Sequence, residues 1–385
     1  MHGPLLLCAL FAAARCGAQA SQPSAEANYA AIDVSPAETA ALTRALTRAT
    51  GVYVNAPGRR RLRAVAGGGA LDAARTVLVV SFNSAYFRFF ENWSCHSMRL
   101  GLKYLAWPQE RRAAERARAY LAARPGRARH GTLFYSKFVA DQLEVAGGPA
   151  TFRSANFNAL SNFKLVILHS ILRRGNHVWF SDVDVAFIHD PWVAMAQARD
   201  GLDCDYQFQP DTRGTFEYEE GGPSGNTGFH FLRARAKMTR LVAAVLSLSF
   251  GRRRFDDQAN FWFYLHHLPD NQLVTLRSTR VHWEVAFPKR AAAPPPTDGQ
   301  LRICPLPHAT FPCGQKVGDF DYLVRERSAL VHANWLVGRD AKRDALDKLG
   351  LWLISNASDW EEDKQTGGEQ CRAFDARAYA PKKTN

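Results

Sequence analysis

The sequence predicts an α/β protein, a doubly wound and mainly parallel sheet with helices on both faces. Three observations predict it. Thr76–Phe82, TVLVVSF, is a near-continuous β-branched run of the kind buried on both faces of a parallel sheet. Residues 156–173 read as a helix, Gly175-Asn176 as its stop and residues 177–180, HVWF, as the next strand, which together make an α-turn-β unit. That second strand ends in Asp182 and Asp184, at the edge where open α/β sheets bind ligands. The 385 residues allow one large domain with appendages or two ordinary domains, and they exclude a single small module. With 46% apolar and 22% charged residues the chain is neither disordered throughout nor a multispanning membrane protein.

Taken in order, residues 4–14, PLLLCALFAAA, followed by Arg15 and the small residues of 16–20, read as a signal peptide; a short uncleaved anchor is the alternative. Residues 1–20 are therefore assigned to targeting, which places the protein in the secretory pathway, with the Golgi lumen as the expected site. Any membrane contact is expected only through this segment. Residues 21–72 are read as a stem helix and linker. Ser35-Pro36-Ala37-Glu38 has the pattern of a capping box with proline at the first helical position, and Gly51 can end the helix. The main domain is expected over 73–360. Within it residues 227–232 read as a strand, and 235–250 and 256–265 as helices. Residues 291–299, AAAPPPTDG, form a low-complexity loop, and 361–385 a polar tail.

The formal charge of +13 suits a polyanionic partner, but its excess lies in Arg59, Arg60, Arg61, Arg63 and the stretch 111–129, interleaved with alanine rather than with stacking aromatics. This reads as solvated surface, and no nucleic-acid partner is expected. Sequons at Asn92 and Asn356 predict glycosylation. Beyond the leader remain Cys95, Cys204, Cys304, Cys313 and Cys371, enough for two bridges and one leftover thiol. Cys304 and Cys313 close a small ring and are the expected pair. No CxxC spacing supports a zinc site.

The chemistry concentrates in HVWFSDVDVAFIHDPW. Residues i and i+2 of an extended chain point the same way, so Asp182 and Asp184 should converge, and two carboxylates repel unless a cation lies between them. A hard divalent ion takes oxygen ligands of this sort.

These residues resemble the nucleotide-diphospho-sugar glycosyltransferases of GT-A fold, whose Asp-x-Asp motif holds Mn²⁺ against the donor's diphosphate. The matching segments are Ser181-Asp182-Val183-Asp184 with Asp190-Pro191, Asn83–Tyr86 with Asn92–His96, Lys164, Asn226–Phe229, Asp257-Gln258, and Val331–Asn334 with Gly338. Their order resembles the plant and algal branch that includes extensin arabinosyltransferases and rhamnogalacturonan xylosyltransferases, over about residues 76–352. The resemblance implies Asp184 as a direct metal ligand, Asp182 as a contact to the metal or the ribose, and His332 as the third protein ligand. An imidazole beside two carboxylates suits Mn²⁺ better than Mg²⁺, which is the alternative.

Lys164 lies inside an apolar helical stripe with Leu160, Ile167, Leu168 and Ile171; it contacts either donor phosphate or a site carboxylate, or else it snorkels out to solvent. Asn226, after the glycine-rich 221–225, is a sugar or donor ligand or part of a surface turn. Asp257 or Gln258 faces the reactive carbon, with Asp256 as the helix cap. Asn83 and Ser84 are assigned to the nucleoside pocket and Gly338 to the donor wall with Asn334, Arg339 and Lys342. Trp107, Trp179 and Trp192 offer stacking faces, although Trp179 alternates with core positions. Residues 205–222 are the expected acceptor surface. The function expected is metal-dependent transfer of a sugar from a nucleoside diphosphate, UDP above all, to a glycan or glycoprotein. The rivals are a metal-dependent phosphoesterase using the same carboxylates and a non-catalytic polyanion binder.

Overall fold

β1 (Thr76–Phe82) is buried at every position, and the sheet grows outward from it. The computed structural model describes residues 33–51, 73–143, 149–152, 154–199, 203–211, 225–251, 255–266, 268, 273–275, 300–312, 328–354 and 371–375. On one side β1 pairs in parallel with β2 (Tyr104–Pro108), and β2 with β3 (Gly131–Leu133). On the other side it pairs in parallel with β4 (His177–Ser181), Leu78 lying opposite Trp179. Direction reverses once, at β7 (Gly225–Leu232), and is restored in β6 (Tyr206–Pro210), β9 (Leu301–Pro305) and β8 (Leu273–Thr275). The order is β3-β2-β1-β4-β7-β6-β9-β8, so the expected mainly parallel α/β sheet is formed. A separate antiparallel ribbon joins β5 (Val185–Phe187) to β10 (Leu330–His332).

Alternation along the strands feeds two cores. Leu78, Val80 and Phe82 enter one and Val77 and Val79 the other, as the period of two requires. The second core is roofed by α1 (Pro36–Ala49), α5 (Lys137–Gln142), α6 (Ala155–Arg173), α8 (Ala236–Gly251) and α9 (Asp257–His266). The first is covered by α2 (Phe87–Arg99), α3 (Arg111–Ala122), α7 (Pro191–Arg199) and α10 (Arg339–Lys348), with α4 (Pro125–His130) between α3 and β3. Both faces are therefore buried, and each large apolar side chain so covered contributes ~1.5–3 kcal/mol. Among the described residues no helix is long and apolar enough to cross a membrane.

Several expectations are corrected. The capping box at Ser35 and Glu38 forms, but α1 is no stem: Leu42, Ala45, Leu46 and Ala49 pack into the core with Val77 and Leu105, and Ser136 Oγ donates to Glu38 Oε2 at 2.7 Å. Nor is the end of the chain a frayed tail throughout. Cys371 is bonded to Cys95, Arg372 N donates to Leu353 O at 2.7 Å, and the Arg99 guanidinium lies 4.0 Å from the Phe374 ring centre. Cys304 pairs with Cys204 rather than Cys313, because β6 and β9 are neighbouring strands and bring the two segments side by side; Cys313 lies outside the described residues. The Asn92 sequon is buried, its amide donating to Leu351 O and accepting from Leu353 N, which leaves no room for a glycan. Asn356 and the 291–299 loop lie outside the described residues. Trp107, Trp179 and Trp192 are all buried, so none offers a stacking face.

His96 gives the fold a pH dependence. Its Nδ1 is 2.8 Å from Phe187 O and its Nε2 2.8 Å from Leu351 O, so the neutral ring, with one N–H, donates to one of these two carbonyls. Burial lowers its pKa to about 4, against the pull of the two carbonyls. The folded value lies below the unfolded one, so the stability is present above about pH 6.5 and is lost as pH falls towards 4, at about 1.4 kcal/mol per unit. The urea midpoint of the wild-type chain is expected to fall between pH 6.5 and 4.5 more steeply than that of His96→Gln. Equal slopes would refute this account.

Candidate active site

The site is assembled where β4 runs out. Asp182 N donates to Gly228 O at 2.6 Å, extending the β4–β7 pairing by one residue, and the chain then turns so that Val185 N reaches Asp182 O at 3.4 Å. Asp182 and Asp184 therefore flank a turn rather than alternate along an extended strand, which is how the expected convergence is achieved. The ribbon register places His332 opposite Val185, and Ala333 N donates to Asp184 O at 3.1 Å. His332 Nε2 consequently lies 3.3 Å from Asp184 Oδ1 and 3.9 Å from Asp182 Oδ2. One ligand atom from each of the three residues lies within 4.8 Å of the others.

The tautomer of His332 follows from its neighbour. Gln209 Nε2 donates to Phe311 O and Pro312 O, so Gln209 Oε1 is the atom that faces His332 Nδ1 at 2.8 Å, and Nδ1 must carry the proton. Nε2 is buried and has no hydrogen-bond partner. A lone pair aimed at two carboxylates is stable only with positive charge between them, either a proton on that nitrogen or a bound cation. An imidazole whose second nitrogen is fixed by an amide, beside two carboxylates, is a donor set that fits a divalent transition ion. Gly228 makes the approach possible: a Cβ there would run into Asp182 Oδ2, His332 Cε1 and Asn226 Oδ1.

Two lysines balance part of the negative charge. Lys164 Nζ, from the middle of α6, is 2.9 Å from Asp182 Oδ1 and 3.9 Å from Asp257 Oδ2, so it turns inward to site carboxylates rather than snorkelling. Burial alone would lower its pKa, but Asp182 and Asp257 outweigh it and keep the ammonium charged. Lys342 Nζ, from α10, is 2.6 Å from Asp184 Oδ2 and is likewise held charged against its own burial. Burial would raise the Asp184 carboxyl, yet the Lys342 ammonium beside it holds it well below the usual carboxylate range. Asp257 sits in the first turn of α9, exchanging hydrogen bonds with Ser161, and burial pushes its carboxyl up despite Lys164. Asp256 is the cap, accepting from Ala259 N at 2.7 Å.

Beside the cluster runs a network of amides around one carboxylate, with an indole at its edge. Gln258 Nε2 donates to Asp211 Oδ2 at 2.7 Å, and Gln258 Oε1 accepts from Asn226 Nδ2 and Thr227 N. Asp211 Oδ1 also accepts from Asn226 Nδ2, Asn334 Nδ2 and Trp335 Nε1, while Asn226 Oδ1 accepts from Gly228 N. Gln258 and Asn226 are thus brought together as part of one wall. Gly338, with φ +88°, turns the chain into α10, and Arg339 donates to Ala85 O at 3.3 Å. Asn83 and Ser84 sit at the carboxyl end of β1, one strand from β4; Asn83 Oδ1 caps the following turn by accepting from Tyr86 N. Sequence reasoning covered Gln209 and Asp211 only as part of the 205–222 acceptor surface, did not single out Trp335, and did not pair Lys342 with Asp184. The only early signal was the proximity of Trp335 and Lys342 to His332 in the chain.

Residues 127–346, more than half of the chain, match the model of the nucleotide-diphospho-sugar transferase family, and that span contains the whole carboxylate-imidazole cluster and both lysines. The chain belongs to this family. The transferase is similar, at 20% identity over 208 residues, to the UDP-galactose:fucoside alpha-3-galactosyltransferase of Dictyostelium discoideum; the match covers 54% of this chain and 30% of that protein, so this chain spans under a third of its relative's length. Among solved structures it is similar to the glycosyltransferase GlyE of Streptococcus pneumoniae TIGR4, at 13% identity over 73% of this chain and 61% of that one, with a TM-score of 0.40. The apo structure of the bifunctional glycosyltransferase WbbM shares 14% identity over 52% of this chain and 40% of that one, with a TM-score of 0.32.

Proposed function

We propose that this family member is a divalent-metal-dependent glycosyltransferase that moves a sugar from a nucleoside diphosphate, UDP, to a glycan or glycoprotein in the lumen of the secretory pathway, the Golgi in particular. The observation that supports it most directly is the buried, unpartnered Nε2 of His332 facing Asp182 and Asp184 while Nδ1 is committed to Gln209. Asp182, Asp184 and His332 would hold the ion, and Mn²⁺ suits a set that includes imidazole. Bound there, the ion would act as a Lewis acid on the departing diphosphate. Lys164 and Lys342 supply two ammonium groups beside the same carboxylates, where leaving-group charge develops. Asn83, Ser84 and Gly338 shape the nucleoside and diphosphate side, and Asn226, Asp257 and Gln258 the sugar side. The UDP reading also draws on the name of the Dictyostelium relative. Two disulfides suit an oxidising lumen.

The rivals fit less well. Among the described residues there is one metal-competent cluster, whereas a two-metal phosphoesterase wants a second set of ligands beside the first. Within the arginine-rich stretch, Arg116 and Arg127 cover the rings of Phe87 and Tyr120 rather than line a groove.

The deciding experiment incubates the chain with a panel of UDP-sugars, UDP-galactose included, and follows UDP release with EDTA and with Mn²⁺ restored. Release is expected to stop in EDTA and return with Mn²⁺, and p-nitrophenyl phosphate is expected to remain uncleaved. Release that ignores EDTA, or phosphate-ester cleavage, would overturn the assignment.

A further inference from the structure

Trp335 is exposed, at 48% of its surface, whereas Trp93, Trp107, Trp179, Trp192, Trp262 and Trp352 are all buried. A large indole left in water costs free energy that a core position would recover, so its placement asks for a reason. Its orientation is not loose. Nε1–H donates to Asp211 Oδ1 at 3.1 Å, and Asp211 also accepts from Gln258 Nε2, Asn226 Nδ2 and Asn334 Nδ2. Asn226 in turn accepts from Gly228 N, and Gly228 O receives Asp182 N. The ring edge is thereby tied through the side chains of Asp211 and Asn226 and the backbone of Gly228 to Asp182, which bears one of the metal-site carboxylates.

We propose that the exposed face of Trp335 is the stacking platform for the acceptor's sugar ring, an inference that rests on the transferase reading above. A sugar ring offers an apolar C–H face and a rim of hydroxyls, and it is bound by a flat aromatic surface with amide and carboxylate groups beside it. Trp335 supplies the surface, and Asp211 and Asn334 beside it supply a carboxylate and an amide for hydroxyls, next to the Asn226 and Gln258 wall of the donor sugar. The charge distribution separates acceptor from donor. The cations at the cluster, Lys164 and Lys342, bond to Asp182 and Asp184 and serve the diphosphate, whereas Asp211 accepts from the amides of Gln258, Asn226 and Asn334 and from the Trp335 indole among the described residues, a setting for a neutral hydroxylated group. Exposure adds to this. The platform lies in the β10–α10 loop, where Val337 is also exposed, so it meets a group arriving from solvent rather than one held by its own diphosphate on the buried side. The indole acts by positioning the acceptor and takes no part in bond making.

The test uses the full chain with Mn²⁺ and compares wild type, Trp335→Ala and Trp335→Phe in three measurements: calorimetric titration with UDP, UDP release from UDP-galactose into water, and binding of the UDP-loaded protein to an oligosaccharide array. Trp335→Ala is expected to keep UDP affinity and the water reaction within about twofold and to lose array binding by about tenfold, the size of one aromatic stacking contact. Trp335→Phe, which keeps a ring, is expected to restore most of it. A wild-type chain that fails to bind UDP overturns the transferase reading itself. Intact UDP binding with array binding absent, or equal in wild type and Trp335→Ala, overturns the platform alone. A loss of UDP affinity in Trp335→Ala matching any loss on the array assigns the indole to the donor and also overturns it.

Discussion

Asp184→Asn is expected to lower Mn²⁺-dependent UDP release by about three orders of magnitude, the scale seen when one preorganised electrostatic group is removed from a transition state. The substitution keeps the shape of the side chain and removes its charge. Asp184 is buried, with one oxygen 3.3 Å from His332 Nε2 and the other 2.6 Å from Lys342 Nζ. The amide keeps an oxygen for only one of these partners, so its NH₂ must face either the lysine or the imidazole lone pair. Metal affinity should fall with activity, which calorimetric titration with Mn²⁺ measures directly. Lys342 would also lose its countercharge while buried, and removing one partner of such a pair costs about 3–5 kcal/mol. Melting temperature therefore has to be read alongside the rate. A folded Asp184→Asn that retains activity within tenfold of wild type would dispose of the metal-site reading.

How far the chain announces this site can be judged residue by residue. β1 and β4 are legible because every position is buried, so β-branched and aromatic residues run without interruption and end at polar residues. Helices α6, α8 and α9 are legible for the corresponding reason, an apolar stripe with a stop signal, and Gly175 at φ +74° is such a stop. The short ribbon is not. β5 and β10 have three residues each, too few to show a period, and Val185 lies 147 positions before its ribbon partner His332.

The same limit explains the residues that were not singled out. Gln209 and Asp211 end β6 or follow it as ordinary polar residues; what singles them out is contact with His332, Asn334 and Trp335, more than a hundred positions away. Lys342 is expected in the donor wall, but its partner is not legible, because Arg339–Lys348 is a strongly charged helix and only the fold brings its ammonium to the buried Asp184 carboxylate. The disulfide expectation failed for a related reason. A short ring is the cheaper loop to close, but Cys304 is placed by β9 pairing beside β6, and Cys204 comes with that strand. His332 was reachable only through family resemblance, since a single histidine at the end of a short apolar run carries no chemical signature of its own.

Gly228→Ala should disable the site by sterics alone, with no charge altered. The methyl group would run into Asp182 Oδ2 and His332 Cε1 together, and into Asn226 Oδ1. His332 cannot yield: its ring is wholly buried, Nδ1 is bonded to Gln209, and the backbone is paired in the ribbon. Asp182 can, because its side chain is partly exposed and its ion pair with Lys164 is the weaker restraint. The carboxylate should therefore swing outward, leaving Asp184 and His332 as an incomplete ligand set. Mn²⁺ affinity is expected to fall about 10- to 100-fold, as for loss of a supporting contact at a metal site. UDP release should fall by about a hundredfold or more, the usual consequence of misplacing a catalytic group by an ångström. Stability should drop by only ~1–3 kcal/mol, since one neighbour has solvent to move into. Asp182→Ala provides the comparison, and the double variant Gly228→Ala/Asp182→Ala should lose little beyond Asp182→Ala, because both remove the same carboxylate from the same position. Fully additive losses in Mn²⁺ affinity would show that Gly228 acts by some route other than crowding Asp182.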